Sequence, residues 1–554
     1  MTNSKLPEKL NWKDRVRHGV LPSLVKLTGS NSRSIWPLND PEAKLIADAP
    51  KVNAAIKEGM EAFGKTETPL KIVFLTMIGG HRYLFATEAI LSLLLQQRGH
   101  QVQHVICDQS LPACEIKKST NHEQWAEACA SCWSLGRHLA TSFGLDVVGV
   151  SELLKDASPE LDNSIDIDSI VEASLLKHFM VGSLDAIGDS KHERAEAYIE
   201  AAQRSLKIGA TIVAQKPDRV IMSHGIYSTW GPARELLLEN NIPVTTYGKG
   251  KKRQTIKFNW STSADWWDVS EEWKTAKSQE LTAVQESEID SYLESRRSHS
   301  DDSMVYNFGK EEPVEAIKKR LGLVTGKTTF TLFTNVLWDA ASAQREIAFK
   351  NAIDWVFETI RWFIEHPEKQ LIVKVHPAEV VIGTKQPFSK IIDDEFPNLP
   401  PNIAIINPDA VINSWSVAEM TDLGLVHTST VGMELPLEGT PVAVVSRTHF
   451  RDRGFTIDIE NKNQYFELLD QFNPDSSNDT EMTKIAKRYA YLLFNRYQIP
   501  FDLFEEPNHA DVRSFKLDKL RGLASSEIVN AFIPPFERGS GSFLLPRSSQ
   551  NSNS

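Results

Sequence analysis

The stretch 423-LGLVHTSTVGMELPLEGTPVAVV-445 decides the fold. Leu423 to Val426 is an apolar run of strand length, followed by His427, Thr428, Ser429 and Thr430. Gly432 and the pattern Met433 to Leu437 then read as a helix, and Gly439 precedes a second apolar run, Pro441 to Val445. Strand, hydroxyl loop and helix start, in that order, are how an α/β sheet builds an anion site. The first N–H groups of a helix lack partners within it, and the helix dipole is positive there. A phosphate-bearing ligand is therefore expected at Ser429, Thr430 and Gly432.

The same grammar appears on either side. The run 371-LIVKVHPAE-379 is a strand that opens at His376 and Pro377, and 328-TTFTLFTNVLWDA-340 is a strand whose following turn holds Asp339. Another strand is expected at Ile403 to Ile406, so this half alternates strand and helix in the manner of a parallel sheet. In the N-terminal half, Lys71 to Met77 reads as a strand entering Gly79-Gly80, an amphipathic helix follows, and Val102 to Cys107 is the next strand. This is a βαβ opening without GxGxxG, which argues against a dinucleotide cofactor. Strands at 219–222 and 242–247 lead into Ser223-His224-Gly225 and the basic loop 248-GKGKKR-253. The fold class is α/β, with two Rossmann-like doubly wound domains facing a cleft.

The expected organisation is a helical N-terminal extension over 1–66 and a first Rossmann-like domain over 67–300 with a mainly helical insertion. A second, donor-binding domain over 320–475 follows, then C-terminal helices that pack back over 476–533 and a disordered tail over 534–554. The segment from about Glu271 to Ser303 reads as a charged connector. The tail, ERGSGSFLLPRSSQNSNS at its end, is rich in Gly, Ser and Asn.

With 554 residues, 41% hydrophobic and 24% charged, the chain is long enough for two cores. Its net charge of -12 argues against a nucleic-acid partner. No apolar run reaches the roughly 18 residues that span a bilayer, and the N-terminus lacks a secretory apolar core, so a cytoplasmic location is expected. Peripheral attachment to the inner face of the cell membrane or to export machinery stays open, with Trp12 to Val25 as a weak amphipathic candidate. The four cysteines, Cys107, Cys114, Cys129 and Cys132, lie close in sequence. A structural metal on all four is the minority reading beside four reduced thiols, because only Cys129 and Cys132 form a CxxC pair.

The runs TNVLWDAASAQREIAFKNAIDWVFETIRWF (334–363), LIVKVHPAE (371–379) and HTSTVGMELPLEGTPVAVVSRTHFRDRGFTIDI (427–459) resemble bacterial capsule polysaccharide biosynthesis proteins. These are His-Pro-containing sugar transferases of the GT-B architecture. The resemblance covers about 330–500 well and the first domain in outline. It implies transfer of a sugar from a nucleotide-activated donor to a glycan or lipid-linked acceptor, with no cofactor and no obligatory metal. On this resemblance His376 contacts the nucleotide or its phosphate, with Pro377 fixing the loop. Ser429, Thr430 and the Val431 and Gly432 amides hold phosphate oxygens, and Glu434 accepts ribose hydroxyls. Arg451 and Arg453 neutralise the leaving group, and Asp339 orients the donor or caps a helix.

The base that takes the acceptor's proton is expected in the first domain, from His81, Asp108 or His224, with Glu88 less suited because it falls within a helix. The alternatives are a nucleotide-sugar epimerase, a polyol-phosphate transferase, or a non-catalytic subunit of a polysaccharide assembly or export complex.

Overall fold

The computed structural model describes residues 38–115, 125–155, 164–188, 190–305, 312–339, 345–474, 480–507 and 511–548. The amphipathic candidate Trp12 to Val25 lies outside them. The first half supplies β1 (Lys71–Met77), β2 (Gln101–Ile106), β3 (Asp146–Gly149), β4 (Arg219–Met222), β5 (Val244–Lys249) and β6 (Thr255–Trp260). The second supplies β7 (Thr329–Phe333), β8 (Gln370–Lys374), β9 (Ile403–Ile406), β10 (Leu423–Val426), β11 (Val442–Val444) and β12 (Ile457–Asp458). Late in the chain, β13 (Ile499–Pro500) returns to the first half.

The first sheet has the order β13-β6-β5-β4-β1-β2-β3 and the second β12-β11-β10-β7-β8-β9. Neighbours among β1 to β5 are parallel, while β6 runs antiparallel to β5 and β13 antiparallel to β6. All neighbours in the second sheet are parallel. In each sheet the first strand lies between the second and the fourth, so the crossovers part to opposite faces at β1/β4 and at β7/β10. A crevice opens at the carboxyl ends of such a pair, which is where doubly wound sheets take ligands. The chain is thus two Rossmann-like domains in the GT-B arrangement.

The strand sequences explain the topology. β7, β8 and β10 are buried at every residue, as strands covered by helices on both faces must be. Close helix–strand approach is set by the glycine pair after β1: a Cβ on Gly79 would lie 2.9 Å from the Cα of Gly136, and one on Gly80 2.5 Å from the Cα of Cys132. The turn after β1 therefore meets the helix Trp125–Phe143 backbone to backbone.

Three boundary expectations change. The charged segment after Glu271 is not a connector: the helices Ser270–Ala276 and Ala283–Ser298 bury Trp273, Ala276, Ile289, Tyr292 and Leu293 in the second domain's core. Their apolar stripe is narrow enough to be hidden among charges. The C-terminal segment divides, because the helix Thr480–Ala490 packs on the second domain whereas β13 and the helix Glu527–Arg538 join the first. The tail is ordered as far as it is described. The helix runs through Pro534 and Pro535, and Phe543 and Leu545 are buried in the first domain's core. At the other end, the helix Asp40–Met60 is closed by an Asn39–Glu42 capping box and buries Leu45, Val52 and Ile56 in that same core. None of the described helices is long and apolar enough to cross a membrane.

Candidate functional site between the domains

The hairpin tip between β5 and β6 carries the basic loop across to the second domain. Gly250 is required there, since a Cβ would fall 2.0 Å from Thr255 Oγ1. The Lys251 and Lys252 amides both donate to Gln498 Oε1, at 2.6 and 2.9 Å, which fixes the tip. Lys251 then reaches Thr430, its Nζ donating to Oγ1 at 3.0 Å. Thr430 is the residue before the helix Val431–Leu437, at the carboxyl end of β10, and so sits at the second sheet's crevice.

Several groups converge on this seam. Lys257, on β6, donates to the Ala264 carbonyl at 2.7 Å and lies 3.6 Å from Asp265 Oδ1. Its ammonium also sits 3.6 Å from the centre of the Trp267 ring. The Arg345 guanidinium, from the second domain, stacks 3.5 Å over Trp266. Lys177 is 3.7 Å from Asp339 and 4.2 Å over Trp338, again across the domains. On that flank the Lys385 amide donates to the Met180 carbonyl at 3.0 Å. Among the described residues, the cations Lys177, Lys251, Lys257, Arg296, Arg345 and Lys374 outnumber the carboxylates Asp265, Asp302, Asp339 and Glu434 near the seam, and Arg447 and Glu346, beside Arg345, add one charge of each sign.

Burial destabilises this charge. Lys251 is pushed down to about 8 by burial and the nearby Arg296, Lys257 to about 7 by burial, Lys374 to about 8 and Arg345 to about 10. Burial pushes the Asp265 carboxyl up, but Lys257, His224 and Lys177 outweigh it and hold the group below the usual carboxylate range. Asp265 keeps 34% of its side chain exposed, so it is reachable. An anion entering the seam would restore charge to these lysines and be held by them.

The sequence-predicted residues divide. His376 belongs to the seam. Its N–H donates to Thr334 Oγ1 at 2.9 Å, and its Nδ1 accepts from the Ala378 N–H at 3.1 Å, which leaves the neutral ring's proton on Nε2. Burial, with Lys251 and Lys374 nearby, lowers it to about 4. Pro377 follows in a helical conformation, φ -65°, and opens the helix Ala378–Ile382. Ser429 and Thr430 are in place, but the Gly432 amide donates to the Ser429 carbonyl at 3.1 Å. That tight first turn spends one of the two amides expected to cradle phosphate, and the Lys251 ammonium and the Ser429 and Thr430 hydroxyls are side-chain donors at this point.

Glu434 is buried and accepts from Arg296 Nη2 at 2.9 Å, with Asp302 on the guanidinium's other side. Its Oε1 is thereby engaged within the protein. Arg451 spans β11 and the segment after β12, donating to the Val444 carbonyl at 3.0 Å and pairing with Glu460. Arg453 donates to the His449 carbonyl at 3.1 Å and to Ser270 Oγ at 2.7 Å. Both guanidiniums serve as braces.

Of the three base candidates, only His224 lies at the seam, where it acts on Asp265 electrostatically and meets Trp230 edge-on at 5.3 Å. His81 caps the helix Arg82–Gln97 through its Nδ1, and Asp108 accepts from the Ser151 amide at 3.2 Å and from the hydroxyls of Ser110 and Ser151. Glu88 is in the first domain's core, accepting from the Tyr247 hydroxyl at 2.8 Å. Sequence reasoning missed Lys257, Asp265 and Arg345. The pair Trp266-Trp267 beside Asp265 was the visible signal, because both rings receive cations.

The four cysteines line one cavity of about 20 Å³ behind Met77 and Ile78, and the Gly80 amide donates to Cys132 Sγ at 3.2 Å. Among the described residues no cluster of His, Cys, Asp or Glu has the arrangement to hold a metal ion.

No family model matches this chain. Nor does any curated protein sequence. Among solved structures, the beta Kdo 2,4 transferase of Thermosulfurimonas dismutans KpsC aligns at 16% identity over 55% of this chain and 88% of its own, with a TM-score of 0.33. The UDP-GlcNAc 2-epimerase from Neisseria meningitidis bound to UDP-GlcNAc aligns at 11% identity over 76% and 96%, TM-score 0.25. The glycosyltransferase SnogD from Streptomyces nogalater aligns at 11% over 76% and 95%, TM-score 0.22. Likenesses this distant carry no argument about activity, for which the side chains at the seam are the basis.

Proposed function

We propose that the chain is a glycosyltransferase that moves a sugar from a nucleotide-activated donor to a glycan or lipid-linked acceptor in surface, capsule-type polysaccharide synthesis. The observation that carries this reading is the surplus of buried cations from both domains at the adjoining crevices of two doubly wound sheets. A donor's phosphate fits between Lys251 Nζ and Thr430 Oγ1, replacing their mutual hydrogen bond with two bonds to oxygen. His376 offers Nε2–H to the same anion, and Ser429 a further hydroxyl. Lys257 and Arg345 face the charge that grows on the phosphate as the leaving group departs.

The step is a displacement at the anomeric carbon. The acceptor hydroxyl oxygen forms the new glycosidic bond, the bond from that carbon to the donor phosphate oxygen breaks, and the nucleotide leaves with the electron pair. The hydroxyl proton goes to a group of the first domain, for which Asp265 and His224 are the two at the seam. Tryptophans 266 and 267 exclude water from the phosphate side, which limits donor hydrolysis.

The test is a panel of nucleotide-activated sugars with saccharide acceptors, resolved by mass. Extended acceptor together with released nucleotide supports the reading. An epimerised sugar nucleotide without acceptor extension assigns the cleft to an epimerase, and nucleotide binding with no product from any pairing assigns it to a binding subunit. His376→Ala and Lys251→Met should each lower turnover at least about a hundredfold, since each removes a donor to developing charge.

A further inference from the structure

A second opening has a lining of its own. A cavity of about 640 Å³ lies along the helix Ala283–Ser298, between it, the β5–β6 tip and Asn495. That volume is in the range that holds a small organic ligand, roughly 300–1,000 Å³. Ser287, Ser291 and Ser295, spaced one turn apart, present a row of hydroxyls to it.

Two buried oxygens make this more than a polar groove. Tyr292 and Asn495 both line the cavity, and the Tyr292 hydroxyl and Asn495 Oδ1 have no hydrogen-bond partner among the described residues. Tyr292 is 4% exposed, and buried oxygens of this kind are ordinarily paired, by protein or by a bound molecule.

The charges select the ligand. The lining contributes one cation, Lys252, and two carboxylates, Glu288 and Asp301, a net charge of 1 - 2 = -1. A phosphate or nucleotide is repelled by that balance. A neutral polyol is not, because its hydroxyls donate to the carboxylates, to Asn495 Oδ1 and to the oxygens of Ser291 and Ser295, whose own protons go to the Ser287 and Tyr292 carbonyls, and accept from Ser287 and Lys252. Consecutive residues of one tip therefore face two different chemistries: Lys251 faces the anion seam, and Lys252 faces the cavity, its ammonium 5.7 Å from the Tyr292 ring centre.

We infer that this cavity is a second ligand site, which binds a neutral, hydroxyl-rich saccharide segment independently of the seam. The inference goes beyond the transferase reading and does not need it, since the site is read by binding alone.

The experiment uses the full chain and three neutral oligosaccharide series, malto-, cello- and N-acetylchito-oligosaccharides, followed by saturation-transfer NMR and calorimetry. At least one series should bind saturably with about millimolar or tighter affinity. Ser291→Trp and Ser287→Trp fill the cavity from exposed helix positions, and each should weaken that binding at least about tenfold while the melting temperature holds. Lys251→Met should leave it unchanged. The inference is overturned if no series binds, if binding survives both tryptophan variants, or if Lys251→Met abolishes it, which would put the sugar in the seam. If only the seam reading is wrong, nucleotide binding is absent while saccharide binding and its loss in the tryptophan variants remain.

Discussion

Lys251 and Thr430 belong to different domains and share a 3.0 Å hydrogen bond at the mouth of the second sheet's crevice. Burial holds Lys251 down at about 8 and Lys257 at about 7. Both groups are therefore poised to take up protons when an anion arrives.

That poise sets a pH profile. Lys251 and Lys257 must be protonated to hold phosphate, and without ligand they lose their protons as pH rises through about 7 and 8. Nucleotide affinity should be strongest below about pH 7 and fall through that window, with net proton uptake on binding near pH 8. Calorimetry in buffers of different ionisation enthalpy reads the uptake. Lys251→Met should weaken binding and remove the step near pH 8, and an affinity flat from pH 6 to pH 9 contradicts the assignment.

The Glu434–Arg296–Asp302 cluster is a stability device. Glu434 and Arg296 keep only 8% and 17% of their side-chain surface, and Arg296 bridges the helix Ala283–Ser298 to the helix after β10. Arg296→Met leaves Glu434 buried without this cation and Asp302 with His299 as its remaining partner, and should cost about 3–5 kcal/mol. The double variant Arg296→Met, Glu434→Gln should recover part of that loss, because it removes both ends of the pair. Urea unfolding measures both. A double variant no better than Arg296→Met alone would show that the pair adds no mutual stabilisation.

Much of the fold was legible because buried parallel strands read as continuous apolar runs: β1, β7, β8 and β10 fall where the sequence puts them, with His376 and Thr430 at their ends. The helices at Ser270–Ala276 and Ala283–Ser298 were misread because charged faces dominate their composition, while the burial of Ile289, Tyr292 and Leu293 depends on a partner distant in sequence. The seam was half legible for the same reason. Lys251 stands in an obvious basic loop, but Lys257 looks like one polar residue on an edge-side strand, and Arg345 gains its meaning only from Trp266 across the domain boundary. Arg451 and Arg453 had the right chemistry, but local carbonyls claim their donors.

Within the first domain, Glu88 gives a second pH signature, on stability. Burial raises its carboxyl to about 7, with the Tyr247 and Thr76 hydroxyls opposing. A folded-state value above the unfolded one means the contribution is complete below the unfolded value, near 4.5, and is lost as pH rises to about 7. Glu88→Gln keeps an acceptor for the Tyr247 hydroxyl and removes the titration. Its stability relative to the natural chain should improve between pH 4.5 and pH 7 by on the order of 3 kcal/mol. Denaturant titrations at pH 5 and pH 8 give the comparison, and an equal difference at both values would rule out Glu88 as the titrating group.

The C-terminal segment makes the sharpest contrast with its composition. Phe543 is 3% exposed and packs 4.8 Å from Trp260 and 5.5 Å from Phe258, and the Trp260 indole N–H donates to the Gly541 carbonyl at 2.8 Å. These contacts close the β6 side of the first sheet, where β13 adds only two residues. Phe543→Ala removes a buried ring and should cost about 3–5 kcal/mol. Truncation after Ser540 loses Leu545 as well and should lower the melting temperature further, by several degrees for a domain of this size. Truncation also removes Leu544, which packs on the second core, and Arg547 and Ser548, which bond Gln279, Gln285, Glu288 and Tyr491, so both domains should lose stability, whereas Phe543→Ala acts on the first alone. A truncated chain that melts with the full one would mean that Gly and Ser content describes this segment better than its two buried apolar side chains do.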